Sequence, residues 1–183
     1  MCLGSVSPPL LVYGPHGGGV AEAQGVDGCR VHLHVGTLSK AFGSQGGFVG
    51  CSARMRQLLL SRGRAGIYST ALPMPAVAAA SAALCCATPQ RRALLWETVA
   101  KFAEAAAIEA TSPIVPIIVG SEELALEAAE KLLGSGFLVP AIRPPTVPRG
   151  TARLRVALSA SHPQHEVRRL GAALQDFRRL YAL

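Results

Sequence analysis

The segment Gly14-Pro-His-Gly-Gly-Gly19 places four glycines and a proline within six residues. Glycine gains too little from helix or strand geometry, and proline lacks the N–H that either ladder needs, so the chain must loop there. A second glycine cluster, Gly43-Ser-Gln-Gly-Gly47, imposes another loop. Between them, Val31 to Val35 alternates Val-His-Leu-His-Val, the period-two pattern of a strand. Phe48 to Cys51 is apolar and reads as a second strand, and Leu10 to Tyr13 as a short buried one.

The rest of the chain follows as helices and strands. Ser52 is placed to cap a helix over Ala53 to Ser61. Ile67-Tyr-Ser-Thr70 reads as a strand running into a turn. Pro75 to Ala87 and Arg91 to Ala110 read as helices separated by Pro89. After Ser112 the texture changes. Ile114 to Val119 is a strand, and Ser121 caps a helix whose first turn carries Glu122 and Glu123, acidic groups that suit the positive helix end. Gly134 and Gly136 end that helix. Phe137 to Ile142 and Arg153 to Ser159 read as strands joined by a proline-rich loop, and a last helix starts at Pro163. The expected class is α/β. Residues 1–110 form one domain, and residues 111–183 form a small C-terminal domain.

Composition excludes several functions. Half of the 183 residues are hydrophobic, which suits a packed core. No apolar run reaches the roughly 18 residues of a membrane span. The net charge is +7, but the arginines are scattered with few aromatics between them, which argues against nucleic acid as a partner. Five cysteines with no Cys-x-x-Cys pair indicate reduced thiols, not a disulfide framework or a zinc site. His32 and His34 share a strand face without a carboxylate or thiol nearby, so they read as polar-face residues and no metal is expected. The four glutamates Glu122, Glu123, Glu127 and Glu130 read as a solvated helix face, Trp96 as core, and His162 as a cap or packing residue. No secretory signal is visible and Tyr181-Ala-Leu183 lacks the basic middle residue of a peroxisomal address; the expected compartment is the cytoplasm, with an organelle such as the peroxisome or mitochondrion the alternative.

The candidate chemistry lies in Gly36-Thr-Leu-Ser-Lys40 and the glycines that follow. A lysine that attacks a carbonyl must be neutral, which a partly desolvated rim beside other cations favours. A strand end puts Lys40 at the edge of a sheet, where α/β proteins bind ligands. Thr37 offers a hydroxyl, and Gly43, Gly46 and Gly47 let backbone amides come close to a phosphate. On its own, a lysine at a strand end is more often a solvated charge.

Three further segments change that weight. Val12-Tyr-Gly-Pro-His-Gly-Gly-Gly-Val20, Ile67-Tyr-Ser-Thr-Ala-Leu-Pro73, and Ala141-Ile-Arg-Pro-Pro-Thr-Val-Pro148 with Arg153-Leu-Arg-Val-Ala-Leu-Ser-Ala160 occur in order along the chain. Together with the Lys40 loop they resemble the α-oxoamine synthases, pyridoxal-phosphate enzymes of the class II aminotransferase-like group, over residues 11–180. The Arg-Pro-Pro-Thr-Val-Pro run is similar to the biotin-synthesis branch of that family, and the glycine-rich and Tyr-Ser-Thr segments resemble its plant-type form. The resemblance implies a fold-type I pyridoxal-phosphate transferase, represented by the C-terminal part of its large domain and its small C-terminal domain. It implies condensation of L-alanine with pimeloyl-CoA, releasing carbon dioxide and CoA. Lys40 would be the catalytic, cofactor-holding lysine. Thr37 would bind the cofactor phosphate, and Ser69 and Thr70 would do so across a homodimer interface or in a pairing with a full-length chain. Arg143 would hold the amino-acid carboxylate, since a guanidinium matches a carboxylate with two parallel hydrogen bonds.

One family element does not match. Where the family carries Asp-x-x-His, this chain has Ser5-Val-Ser-Pro8. In the family that aspartate keeps the cofactor's ring nitrogen protonated and the ring an electron sink. His16 lies inside the glycine segment and reads as a surface-loop residue. The expectation is a chain inactive by itself, a fragment or partner subunit. A basic binding module that keeps only the fold is the other class considered.

Overall fold

The computed structural model describes residues 10–181, so the Ser5–Pro8 stretch lies outside the described residues. The chain forms two compact units, Met1–Arg92 and Ala93–Leu183. This division falls earlier than the change of sequence texture near residue 110. The reason is α5 (Pro89–Ala106), whose Val99, Phe102 and Ala106 belong to the core of the second unit.

In the first unit a short helix α1 (Val20–Ala23) follows the glycine-rich loop. Strands β1 (Leu33–Thr37) and β2 (Gly47–Cys51) pair antiparallel, with Leu33 opposite Cys51 and Thr37 opposite Gly47. The first strand starts two residues later than its alternation predicts, because the Val31 amide closes a turn on the Gly28 carbonyl at 3.1 Å. Helices α2 (Ala53–Arg62), α3 (Arg64–Ile67) and α4 (Met74–Cys86) follow. Ser52 caps α2 as expected, its hydroxyl accepting the Met55 amide at 3.3 Å.

Two expected strands of this unit are absent. Leu10 to Tyr13 is a turn: Leu11 takes φ 74° and its N–H bonds the Gly17 carbonyl at 2.8 Å, folding the segment back on the glycine loop. Ile67 ends a helical turn instead of starting a strand, with the Tyr68 amide on the Arg64 carbonyl at 3.1 Å. Pro89 opens α5 at its first position, where proline is compatible with a helix, and the Thr88 hydroxyl accepts the Arg91 amide at 3.3 Å. Among the described residues, Ala80 is the one buried apolar side chain of this unit.

The second unit is a three-stranded antiparallel sheet, β3 (Ile114–Gly120), β5 (Ala152–Ala157) and β4 (Ala141–Ile142), in the order β3-β5-β4. Helices α6 (Glu122–Gly134) and α7 (Gln164–Leu180) complete it with most of α5. Alternation along β3 buries Val115, Ile117 and Val119 and exposes Ile114 and Ile118. Phe102, Leu154 and Leu174 are fully buried at the centre. Ser121 caps α6 at Leu124 N, 3.1 Å. The expected strand from Phe137 shrinks to two residues, because the Phe137 amide is spent on the Leu132 carbonyl at 2.8 Å, with Gly136 at φ 89° closing the helix. No described helix is long and apolar enough to cross a membrane.

Replacing Leu154 by Ala should destabilise the second unit by about 2–5 kcal/mol. Ile118→Ala, on the exposed side of β3, should cost under about 1 kcal/mol. Urea unfolding followed by Trp96 fluorescence distinguishes the two; equal costs would contradict the assigned core.

Candidate functional site

Lys40 sits on the loop that joins β1 to β2. The hairpin brings Thr37 and Gly47 opposite each other, and the nine residues between must close on themselves. The Leu38 amide bonds the Gly46 carbonyl at 2.9 Å, the Ser44 amide the Leu38 carbonyl at 2.8 Å, and the Gly43 amide the Lys40 carbonyl at 2.9 Å. Lys40 therefore occupies an exposed turn tied at both ends. Beneath it two hydroxyls meet: Thr37 Oγ1 and Ser39 Oγ are 2.7 Å apart, and the Ser39 amide donates to Thr37 Oγ1 at 3.2 Å. Gly46 has φ 100°, and a Cβ there would lie 2.5 Å from Leu72 Cδ2. That leucine belongs to the segment carrying Ser69 and Thr70, so the loop and the segment touch. Ser69 and Thr70 are exposed and their hydroxyls make no hydrogen bond among the described residues.

The glycine-rich loop is organised by a residue the sequence reading did not single out. The Glu22 carboxylate accepts the Gly18 amide at 2.7 Å, the His16 amide at 3.2 Å, and lies 2.6 Å from His16 Nδ1. Gly14, at φ 84°, is required: a Cβ would stand 2.1 Å from a Glu22 oxygen. The Gly18 amide first, then the His16 ring, holds the Glu22 carboxyl below its ordinary 4.5. Arg92, 8% exposed, donates to the Pro15 carbonyl at 2.8 Å and fixes the loop from its other side. A glutamate three residues after a glycine run was the signal available; the partner Arg92, 77 residues from Pro15, left none.

Arg143 lies in the second unit, directly after β4, half exposed and 4.0 Å from Glu122. At that distance and exposure the pair contributes little to stability, and the guanidinium stays available to an anion. His162 Nδ1 accepts the Ser159 amide at 3.2 Å, in keeping with a local turn role. Trp96 packs against the second unit's core. His32 and His34 are exposed. Among the described residues no group of three or more His, Cys, Asp or Glu converges as metal ligands would.

Comparison with known proteins is consistent across sequence and structure. The family model described as aminotransferase class I and II matches residues 11–174. An Arabidopsis thaliana protein named 8-amino-7-oxononanoate synthase is 50% identical over 168 residues, covering 91% of this chain and 35% of the relative. The protein of that name from Anaeromyxobacter dehalogenans strain 2CP-C is 49% identical over 173 residues, covering 90% of this chain and 43% of the relative. A solved structure of SPT with PLP superposes with a TM-score of 0.85 at 28% identity, covering 96% of this chain and 46% of that one. The chain thus spans between about a third and a half of the length of these relatives.

The lowered Glu22 pKa fixes a pH dependence. Its loop contacts are complete above the ordinary carboxylate value of 4.5 and are lost only as pH falls through the lower folded value. The Gly18 amide resonance should therefore titrate below pH 4.5 by nuclear magnetic resonance, and Glu22→Gln should abolish that titration. A midpoint at or above 4.5 would contradict the described cradle.

Proposed function

We propose that this chain, which belongs to the aminotransferase class I and II family, holds pyridoxal phosphate on Lys40 and serves the condensation of L-alanine with pimeloyl-CoA to 8-amino-7-oxononanoate. The observation that carries the reading is the closed turn at Lys40. A primary amine, matched to an aldehyde, stands on the same tied turn as the paired hydroxyls of Thr37 and Ser39, matched to a phosphate. The donor set fits the two reactive ends of pyridoxal phosphate. The 50% identity to a relative of the named activity supports the choice of substrates.

When bound, the cofactor supplies an electron sink for charge that develops at the amino acid's Cα. The chain's own residues do the rest. Lys40 would hold the cofactor's aldehyde carbon through Nζ, and as a free amine Nζ would take the Cα proton of alanine as general base. Thr37 Oγ1 would turn its proton to the phosphate, with Ser39 Oγ, 2.7 Å away, as the neighbouring hydroxyl. Ser69 and Thr70 do the same from the exposed segment after α3, in a homodimer toward the partner's site. Arg143 holds the alanine carboxylate until carbon dioxide leaves. The new bond would join the Cα of alanine to the thioester carbon of pimeloyl-CoA while the carbon–sulfur bond breaks and CoA leaves as its thiol.

A second reading, a subunit that works only when paired with a longer homologue, rests on two observations. Ser5-Val-Ser-Pro8 stands where the family has Asp-x-x-His. The first unit also leaves Val35, Phe48, Val49, Leu58 and Leu60 exposed while burying, among the described residues, one apolar side chain. Such a surface suits a protein partner. On this reading the chain alone binds the cofactor but does not condense the substrates, and robust condensation by the purified chain would overturn it.

The purified chain mixed with pyridoxal phosphate should develop a visible absorption band distinct from that of the free cofactor, and Lys40→Ala should lack it. Identical spectra for both proteins would overturn the assignment of Lys40.

A further inference from the structure

Ser44 lies four residues beyond Lys40, and its two ends do different work. Its amide closes the lysine turn on the Leu38 carbonyl at 2.8 Å. Its hydroxyl leaves the loop altogether and donates to the Ala76 carbonyl at 2.6 Å, 32 residues away in the first turn of α4. A helical carbonyl has two lone pairs, so Ala76 can take this bond and keep its place in the helix. Two residues further along the loop, Gly46 lacks a side chain where the methyls of Leu72 sit, 2.5 and 2.8 Å from the position of a Cβ. The loop is thus gripped on a polar side at Ser44 and on an apolar side at Gly46, by residues that flank Pro73.

What is gripped matters. Residues 70–73 adopt neither helix nor strand, and Ser69 and Thr70 are exposed. The segment is fixed where it enters α4, at the point Ser44 holds. We propose that Ser44 is a positioning residue, which clasps the Lys40 loop to the segment bearing the Ser69 and Thr70 hydroxyls. This rests on the reading that Lys40 carries pyridoxal phosphate. The clasp makes the ordering of the lysine turn and the ordering of the phosphate-binding segment one event, whichever subunit's phosphate that segment serves. Restraint of the loop before binding reduces the ordering cost that binding would otherwise carry.

The test is titration of the purified chain with pyridoxal phosphate, read by its visible band, in the wild type, Ser44→Ala, Ser44→Thr, Leu72→Ala and the Ser44→Ala/Leu72→Ala double variant. Ser44→Ala should weaken binding by roughly three- to tenfold, the range one hydrogen bond spans. Ser44→Thr, which keeps the hydroxyl, should restore it. The two alanine variants should combine less than additively, since either one opens the same clasp. Binding by Ser44→Ala as tight as wild type, failure of Ser44→Thr to restore it, or full additivity would overturn the proposal alone. A wild-type chain without a band would overturn the reading of Lys40, and this inference with it.

Discussion

The antiparallel register of β1 and β2 is the constraint on which the candidate site depends. Thr37 opposite Gly47 leaves a fixed span for the loop, and that span is closed by backbone bonds at Leu38, Gly43 and Ser44. A slip of one residue would send every side chain of β1 to the other face. Thr37 would then no longer face Gly47, and the backbone bonds from Leu38 and Ser44 that close the turn would lose their alignment. The chemistry expected of the lysine is therefore set by strand pairing, and the loop only expresses it.

The rest of the first unit is organised around loops. Glu22 gathers the amides of the glycine-rich segment, Arg92 holds that segment through Pro15, and Ser44 joins the lysine loop to α4. These are polar contacts in a unit whose apolar side chains remain largely exposed. The second unit is the reverse: its sheet and helices enclose Phe102, Leu154 and Leu174, and its alternation along β3 and β5 is regular. The loops of the first unit thus rest on polar contacts and the second unit on apolar burial.

Much of this was legible in the sequence. Ser52 and Ser121 cap the helices they were expected to cap, because a hydroxyl before a helical pattern has a local partner three residues on. The strand alternation of β3 and β5 and the loop at Lys40 were likewise local signals. Three elements were not legible. Leu10 to Tyr13 looks apolar enough for a strand, but its amides are claimed by the glycine loop. Ile67 sits at the end of a helical turn between Gly63 and Tyr68, where β-branching has no say. Phe137 is used to close α6. Each error follows from a hydrogen bond to a group that propensity does not see. Lys40 and Thr37 are singled out by the resemblance of their loop and the segments around it, whereas Ser44 and Arg92 act on carbonyls 32 and 77 residues away and have no signature in the chain.

Lys40 has two competitors, since the sequence contains three lysines. Lys101 is paired with Glu97 at 2.5 Å. Lys131 is paired with Glu127 at 2.8 Å, and its pKa is raised, first by the Glu127 hydrogen bond and then by Tyr181, which favours the unreactive ammonium. Borohydride reduction of the chain loaded with pyridoxal phosphate, followed by mass spectrometry of its peptides, distinguishes the three. A phosphopyridoxyl group on Lys40 at one per chain is the expected result. Label spread over Lys101 and Lys131, or no label at Lys40, would contradict it.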